Sequence, residues 1–103
     1  MNFVYCLIDG DNVTGLRRDH KDAEDSYLAE VNDQIFFGGT LLNSDRTEAR
    51  GSLYVIDWPD RAAAEAWLAG SPYRNAGVYC IARIRGYTHI VPKDGLSEYI
   101  KNE

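Results

Sequence analysis

Two segments with the period of a helix stand between four short runs of strand character, and that order restricts the chain more than any other feature. FVYCLI, residues 3–8, is apolar, with aromatic and β-branched residues, and stops at the turn cluster DGDN. In GLRRDHKDAEDSYLAEVND, Leu16, Ala23, Tyr27, Leu28 and Val31 recur at helical spacing with charges between them, and Asn32–Asp33 close the segment. Strand character returns in QIFFGGTLL, residues 34–42, where a mid-strand Gly38–Gly39 predicts a bulge or a close backbone approach. The polar turn NSDRTEARG leads into GSLYVIDW, residues 51–58, the hairpin partner of that strand. Asp60 is placed to cap a second helix over Ala62 to Ala69, with Ala64, Trp67 and Leu68 inward and Gly70 at its end. VYCIARIRGY, residues 78–87, is the fourth strand, and simple alternation puts Tyr79, Ile81, Arg83 and Arg85 on one face.

The order β-α-β-β-α-β is the ferredoxin-like, split βαβ arrangement, an α+β fold with a four-stranded antiparallel sheet and two helices on one face. The other face is apolar and has no cover. Large exposed apolar faces are rare in monomers, so a homodimer paired sheet to sheet is expected. The 103 residues suit one domain over 1–88, with 89–103 as a C-terminal extension. In that extension Thr88 to Val91 read as a continuation of the strand and Leu96 to Ile100 as a short helix.

Charge and cysteine usage narrow the function. A net charge of −5 with scattered Lys and Arg argues against a nucleic-acid surface. No run approaches the roughly 18 apolar residues of a membrane span, and MNFVYCLIDGD lacks the pattern of a signal peptide, so a cytoplasmic location without membrane partners is expected. Cys6 and Cys80 lie within apolar strand runs and are expected as buried, reduced thiols. His20 and His89 are the only histidines, neither cysteine has zinc-ligand spacing, and DGDN lacks the downstream Gly and Glu of a calcium loop. No metal and no cofactor are therefore expected.

Two stretches hold the candidate chemistry. His20 and Glu24 are four apart on one helical face, and Arg17 and Tyr27 extend the same stripe. A carboxylate beside an imidazole favours the charged ring and fixes its tautomer, which suits general acid–base work. The bland alternative is a solvated polar pair. In GSPYRNAGVY, residues 70–79, Pro72 biases Ser71 away from helix, and the turn presents the hydroxyls of Ser71 and Tyr73. Helix termination for Ser71 and a core position for the Tyr73 ring are the plain alternatives. There is no Gly-x-Ser-x-Gly elbow for a nucleophilic serine.

Over residues 2–87 the chain resembles the YciI-like (YCII-related) family of the dimeric α+β barrel group. The resemblance rests on the first strand ending at Asp9, on Arg17, Tyr27–Leu28, FFGGTLL, Gly51–Ser52 and AAAEAW, and above all on SPYRNAGVY. Members usually carry a His three residues before the helix Tyr and an Asp heading an Asp-Pro turn, the proposed catalytic pair. The matching positions here are Glu24 and Ser71, and Lys21 stands where an Arg often precedes the His. The resemblance implies cofactor-independent lyase or isomerase chemistry by proton transfer on a small polar or aromatic metabolite. The catalytic candidates are then His20 as proton carrier and Glu24 as its orienter, with Arg17, Tyr27, Ser71 and Tyr73 as the substrate contacts. The alternative it leaves open is a non-catalytic small-ligand-binding or interaction protein that has lost the pair.

Overall fold

The expected order is present in the computed structural model, which describes residues 1–92. It runs β1 (Asn2–Asp9), α1 (Thr14–Ala29), β2 (Ile35–Leu42), β3 (Ala49–Asp57), α2 (Arg61–Ala69), α3 (Pro72–Ala76) and β4 (Tyr79–Tyr87). The sheet order is β2-β3-β1-β4, and every neighbouring pair is antiparallel. β4 ends at Tyr87, so Thr88 to Val91 do not extend it as expected. The helix expected over Leu96 to Ile100 lies outside the described residues.

Strand alternation sets the core. On β1, Phe3, Tyr5 and Leu7 turn to the helices and are buried, as are their neighbours Tyr54 and Ile56 on β3 and Ile84 on β4. Ala64, Trp67 and Leu68 of α2 close over them, as the helical spacing predicts. Trp67 lies at the centre of an aromatic cluster, with the Tyr5 ring edge-on at 5.3 Å and the Tyr27 ring stacked at 5.2 Å. Asp60 caps α2 by accepting from the Ala63 amide at 2.8 Å. Gly70 does end α2, with φ of −95°, so its glycine is not there for a left-handed turn. A side chain would run into the Tyr27 hydroxyl, which donates to the Trp67 carbonyl at 2.6 Å.

Bulges change which residues share a face. Ile8 faces Ile81 but Asp9 faces Tyr79, so Cys80 is an extra residue on β4. Tyr79 is thereby turned to the helix side, while Ile81, Arg83 and Arg85 stay on the open side. This corrects the expectation of one shared face. It also corrects the cysteines: Cys80 is exposed and Cys6 only half-buried, because both belong to parts of the sheet that no helix covers. The open face is partly covered by the chain itself. The His89 ring, just beyond β4, meets Phe36 at 4.8 Å, Tyr87 at the end of β4 meets Phe37 at 6.1 Å, and Val55 of β3 is fully buried. Ile8 and Ile81 remain 37% and 41% exposed.

Gly38–Gly39 is a close approach, not a bulge. The breaks in the β2–β3 register fall at the two ends of β2, between Ile35 and Phe37 and between Leu41 and Leu42. A Cβ on Gly38 would sit 2.6 Å from the Tyr54 ring, whereas one on Gly39 would meet nothing within 4 Å. Gly38→Ala is therefore expected to destabilise by ~1–3 kcal/mol through overpacking. Gly39→Ala is expected to stay within about 0.5 kcal/mol of the parent, as surface changes do. Urea denaturation of both checks the pair, and equal losses would contradict the assignment.

Candidate functional site

The SPYRNAG stretch is a helix start as well as a turn. Ser71 takes an extended conformation, Pro72 occupies the first helical position, and the Ser71 hydroxyl accepts from the Arg74 amide at 3.3 Å as an N-cap. Gly77 ends α3 with φ of +88°, a conformation that favours glycine. This short helix lays Ser71 and the Tyr73 amide against α1 at Glu24, the one fully buried residue of α1. Glu24 is 1% exposed, as is Ser71.

Glu24 is held by α3. Its Oε1 accepts from the Ser71 hydroxyl at 2.8 Å and from the Tyr73 amide at 3.0 Å. Its Oε2 is buried and has no hydrogen-bond partner among the described residues. One carboxylate oxygen is thus fixed and the other uncommitted. A buried oxygen left so carries a desolvation penalty that a bound donor would remove.

A second polar cluster lies two turns earlier on α1. Arg17 donates from Nε to Asp9 Oδ2 at 2.7 Å and from Nη2 to Asp9 Oδ1 at 2.9 Å, a fork-on-carboxylate pairing. Nη2 also donates to Ser52 Oγ at 3.0 Å, and the Tyr79 hydroxyl donates to the same Oγ at 2.9 Å. Burial works against the Arg17 charge, but the bonds and charge of Asp9 more than offset it and hold the guanidinium above its ordinary range. Burial pushes the Tyr79 phenol up as well, so it stays a protonated donor. The Arg17 guanidinium sits 4.9 Å from the centre of the Tyr73 ring.

Between these clusters and β2 lies a cavity of about 330 Å³. α1 contributes Arg17, Lys21, Glu24, Asp25 and Leu28 to its lining; the sheet contributes Ile35, Gly38, Gly39, Thr40 and Tyr54; and α3 contributes Tyr73. The Tyr54 ring packs directly against Gly38, where a side chain would clash with it. The volume is at the small end of ligand pockets.

Of the residues singled out from sequence, the fold brings Arg17, Glu24 and Tyr73 to this cavity and Ser71 to Glu24. Two are placed otherwise. His20 is half-buried and is not among the lining residues, and no hydrogen bond joins it to Glu24 among the described residues, whose Oε1 is taken by α3. The Tyr27 hydroxyl is spent on the Trp67 carbonyl. Lys21, Gly38, Gly39 and Thr40 were not foreseen as site residues. The signal for them was present: Lys21 follows Arg17 by one helical turn, and Thr40 shares a strand face with Gly38.

A ferredoxin-like sheet with a cavity of mixed polarity under its first helix defines a class of small α+β proteins, and comparison supplies the family. The model of the YCII-related domain matches residues 1–88, and the chain belongs to that family. Among solved structures it is similar to the 5-chloro-2-hydroxyhydroquinone dehydrochlorinase TftG of Burkholderia phenoliruptrix AC1100, determined with 2,5-dihydroxybenzoquinone. The TM-score is 0.80 at 20% identity, over 86% of this chain and 95% of that one, a likeness of fold. No curated protein matches the sequence.

The Asp9–Arg17 pair is the buried ion pair of the site, with side chains 1% and 11% exposed. Asp9→Ala leaves the guanidinium without its counter-charge, and the expected loss is about 3 kcal/mol, at the low end for a broken buried pair because Arg17 borders the cavity. Urea denaturation measures it, and a loss under about 1 kcal/mol, the level of a surface pair, would contradict the role.

Proposed function

We propose that the protein is a cofactor-independent lyase or isomerase that moves a proton on a small polar or aromatic molecule, with Glu24 as the proton carrier. The single observation behind this is the anchored carboxylate. The family positions that usually hold His and Asp hold Glu24 and Ser71 here, and the two side chains still hydrogen-bond, at 2.8 Å. The order of parts is inverted: the proton-accepting group is the carboxylate, and the positioning group is a hydroxyl backed by an amide. Glu24 Oε2 takes a proton from the substrate while Oε1 stays fixed. Arg17 and Tyr73 hold the substrate, and Ser71 acts through Glu24. His20, which does not line the cavity, is left outside the reacting set.

The similarity of fold to a dehydrochlorinase suggests where to begin an assay. Ring compounds with an acidic C–H, 5-chloro-2-hydroxyhydroquinone among them, are incubated in deuterated water. Chloride release and deuterium entry into recovered substrate are followed. Glu24→Gln is expected to lower either rate at least about 100-fold, the share a general acid–base group supplies, and His20→Ala to change it less than about threefold, a shift well under 1 kcal/mol. Full activity in Glu24→Gln would overturn the assignment. A second reading, ligand binding without turnover, is favoured by the changed pair itself. It requires that no proton exchange occur with any compound that binds.

We also propose a homodimer in the cytoplasm that pairs the open sheet face around Ile8 and Ile81. The exposed isoleucines and two unpaired cysteines support this reading. Sedimentation equilibrium at micromolar concentration is expected to give twice the 11.6 kDa chain mass, and a purely monomeric distribution would refute it.

A further inference from the structure

The two ends of the cavity differ in chemistry, and this limits what it can hold. Arg17 spends Nε and Nη2 on Asp9 and Ser52. Nη1 carries two further N–H groups and donates to nothing among the described residues. Thr40 stands directly across the β2–β3 pair from Ser52, and such neighbours hold their Cβ atoms about 5 Å apart. Ser52 is the residue that Arg17 touches, so the Thr40 hydroxyl and the guanidinium share one end of the cavity. Thr40 is exposed, lines the cavity, and makes no hydrogen bond through its hydroxyl among the described residues. Lys21, one turn along α1, lines it too. Its pair with Asp25 is solvent-exposed, and such pairs are weak enough to be exchanged for another anion.

Glu24 follows Arg17 by seven residues, about 10 Å along the helix. The apolar neighbours at that end are Leu28 and Ile35, while Asp25, the partner of Lys21, lines the cavity beside them. One end of the cavity therefore offers hydrogen-bond donors, two of them cationic, and the other a carboxylate with a free oxygen beside apolar walls.

The geometry points to an oxyanion-binding end built from Arg17 Nη1, Lys21 and the Thr40 hydroxyl. The substrate class is then a small, single-ring molecule bearing a carboxylate or phenolate oxygen, with that oxygen at Arg17 and its acidic hydrogen toward Glu24. Thr40 is the residue that sets this preference alongside the two cations. The inference rests on the cavity being the substrate site. It adds what the site selects: an anion is drawn to one end while the like charge of Glu24 keeps it from docking the other way round.

Titration calorimetry with benzoate, 4-nitrophenolate and the neutral isostere benzamide tests this. Either anion is expected to bind at least about tenfold more tightly than benzamide, the scale of one hydrogen bond to a charged group. The anion that does so identifies the oxygen as carboxylate or phenolate. Added salt is expected to weaken that binding. Thr40→Val and Lys21→Met, both at exposed positions, are each expected to loosen the anion by about threefold or more without changing the urea midpoint. Benzamide binding as tightly as both anions, no binding of either anion, or unchanged anion affinity in both variants would overturn the inference. Glu24→Gln separates it from the proposed chemistry. That variant is expected to keep the anion preference while losing proton transfer. Lost selectivity with Glu24-dependent turnover intact refutes only the oxyanion end, whereas intact selectivity with Glu24-independent turnover refutes only the chemistry.

Discussion

A carboxylate buried at a helix–helix seam is the constraint around which the site is organised. Glu24 has 1% exposure, and an ionised group so placed is tolerated only if fixed donors replace water. Two such donors come from the start of α3, where a serine cap and the next free amide converge on one oxygen. The cap geometry thus does two things at once: it starts α3 and satisfies α1. Because Pro72 fixes its own backbone and restricts Ser71, these donors are positioned before Glu24 arrives. Arg74, whose amide completes the cap, needs no particular side chain for this.

Arg17 plays the corresponding part at the other end of α1. Its guanidinium ties the end of β1 at Asp9 to Ser52 of β3, and through the Ser52 hydroxyl to Tyr79 of β4. The bulge at Cys80 makes the last link possible. Without the extra residue Tyr79 would face the open side of the sheet, and Ser52 would lose that donor. The helix is therefore pinned to the sheet through Arg17 and to α3 through Glu24, and β2 closes the far side of the gap between them. The cavity lies between these two attachments and β2.

In the proposed function, exchange of the usual family pair keeps proton-transfer chemistry with a different base. An imidazole oriented by a carboxylate and a carboxylate oriented by a hydroxyl and an amide share one plan: a titrating group with one atom held and another free. What differs is the charge of the resting site. A carboxylate brings negative charge to the Glu24 end, and the cations at Arg17 and Lys21 give the cavity a direction that a neutral imidazole would not.

The element order, the inward residues of α2 and the Asp60 cap were legible in the sequence, because periods of two and 3.6 and a capping residue are local properties. The Ser71–Pro72 start of α3 was legible in principle, as a cap followed by proline, although it reads first as a turn. The His20–Glu24 pairing follows from helical spacing alone, and spacing cannot say which neighbour a side chain finds when another helix offers better-placed donors. The faces of Tyr79 and Cys80 depend on a single extra residue in β4, invisible until its partner strand is known. The sequence by itself determined which segments become helices and strands and which polar residues must be accommodated. Only the tertiary structure decided which of them meet, since Asp9, Arg17, Glu24, Thr40, Ser52 and Ser71 are brought together by packing across long stretches of chain, where no local period reaches.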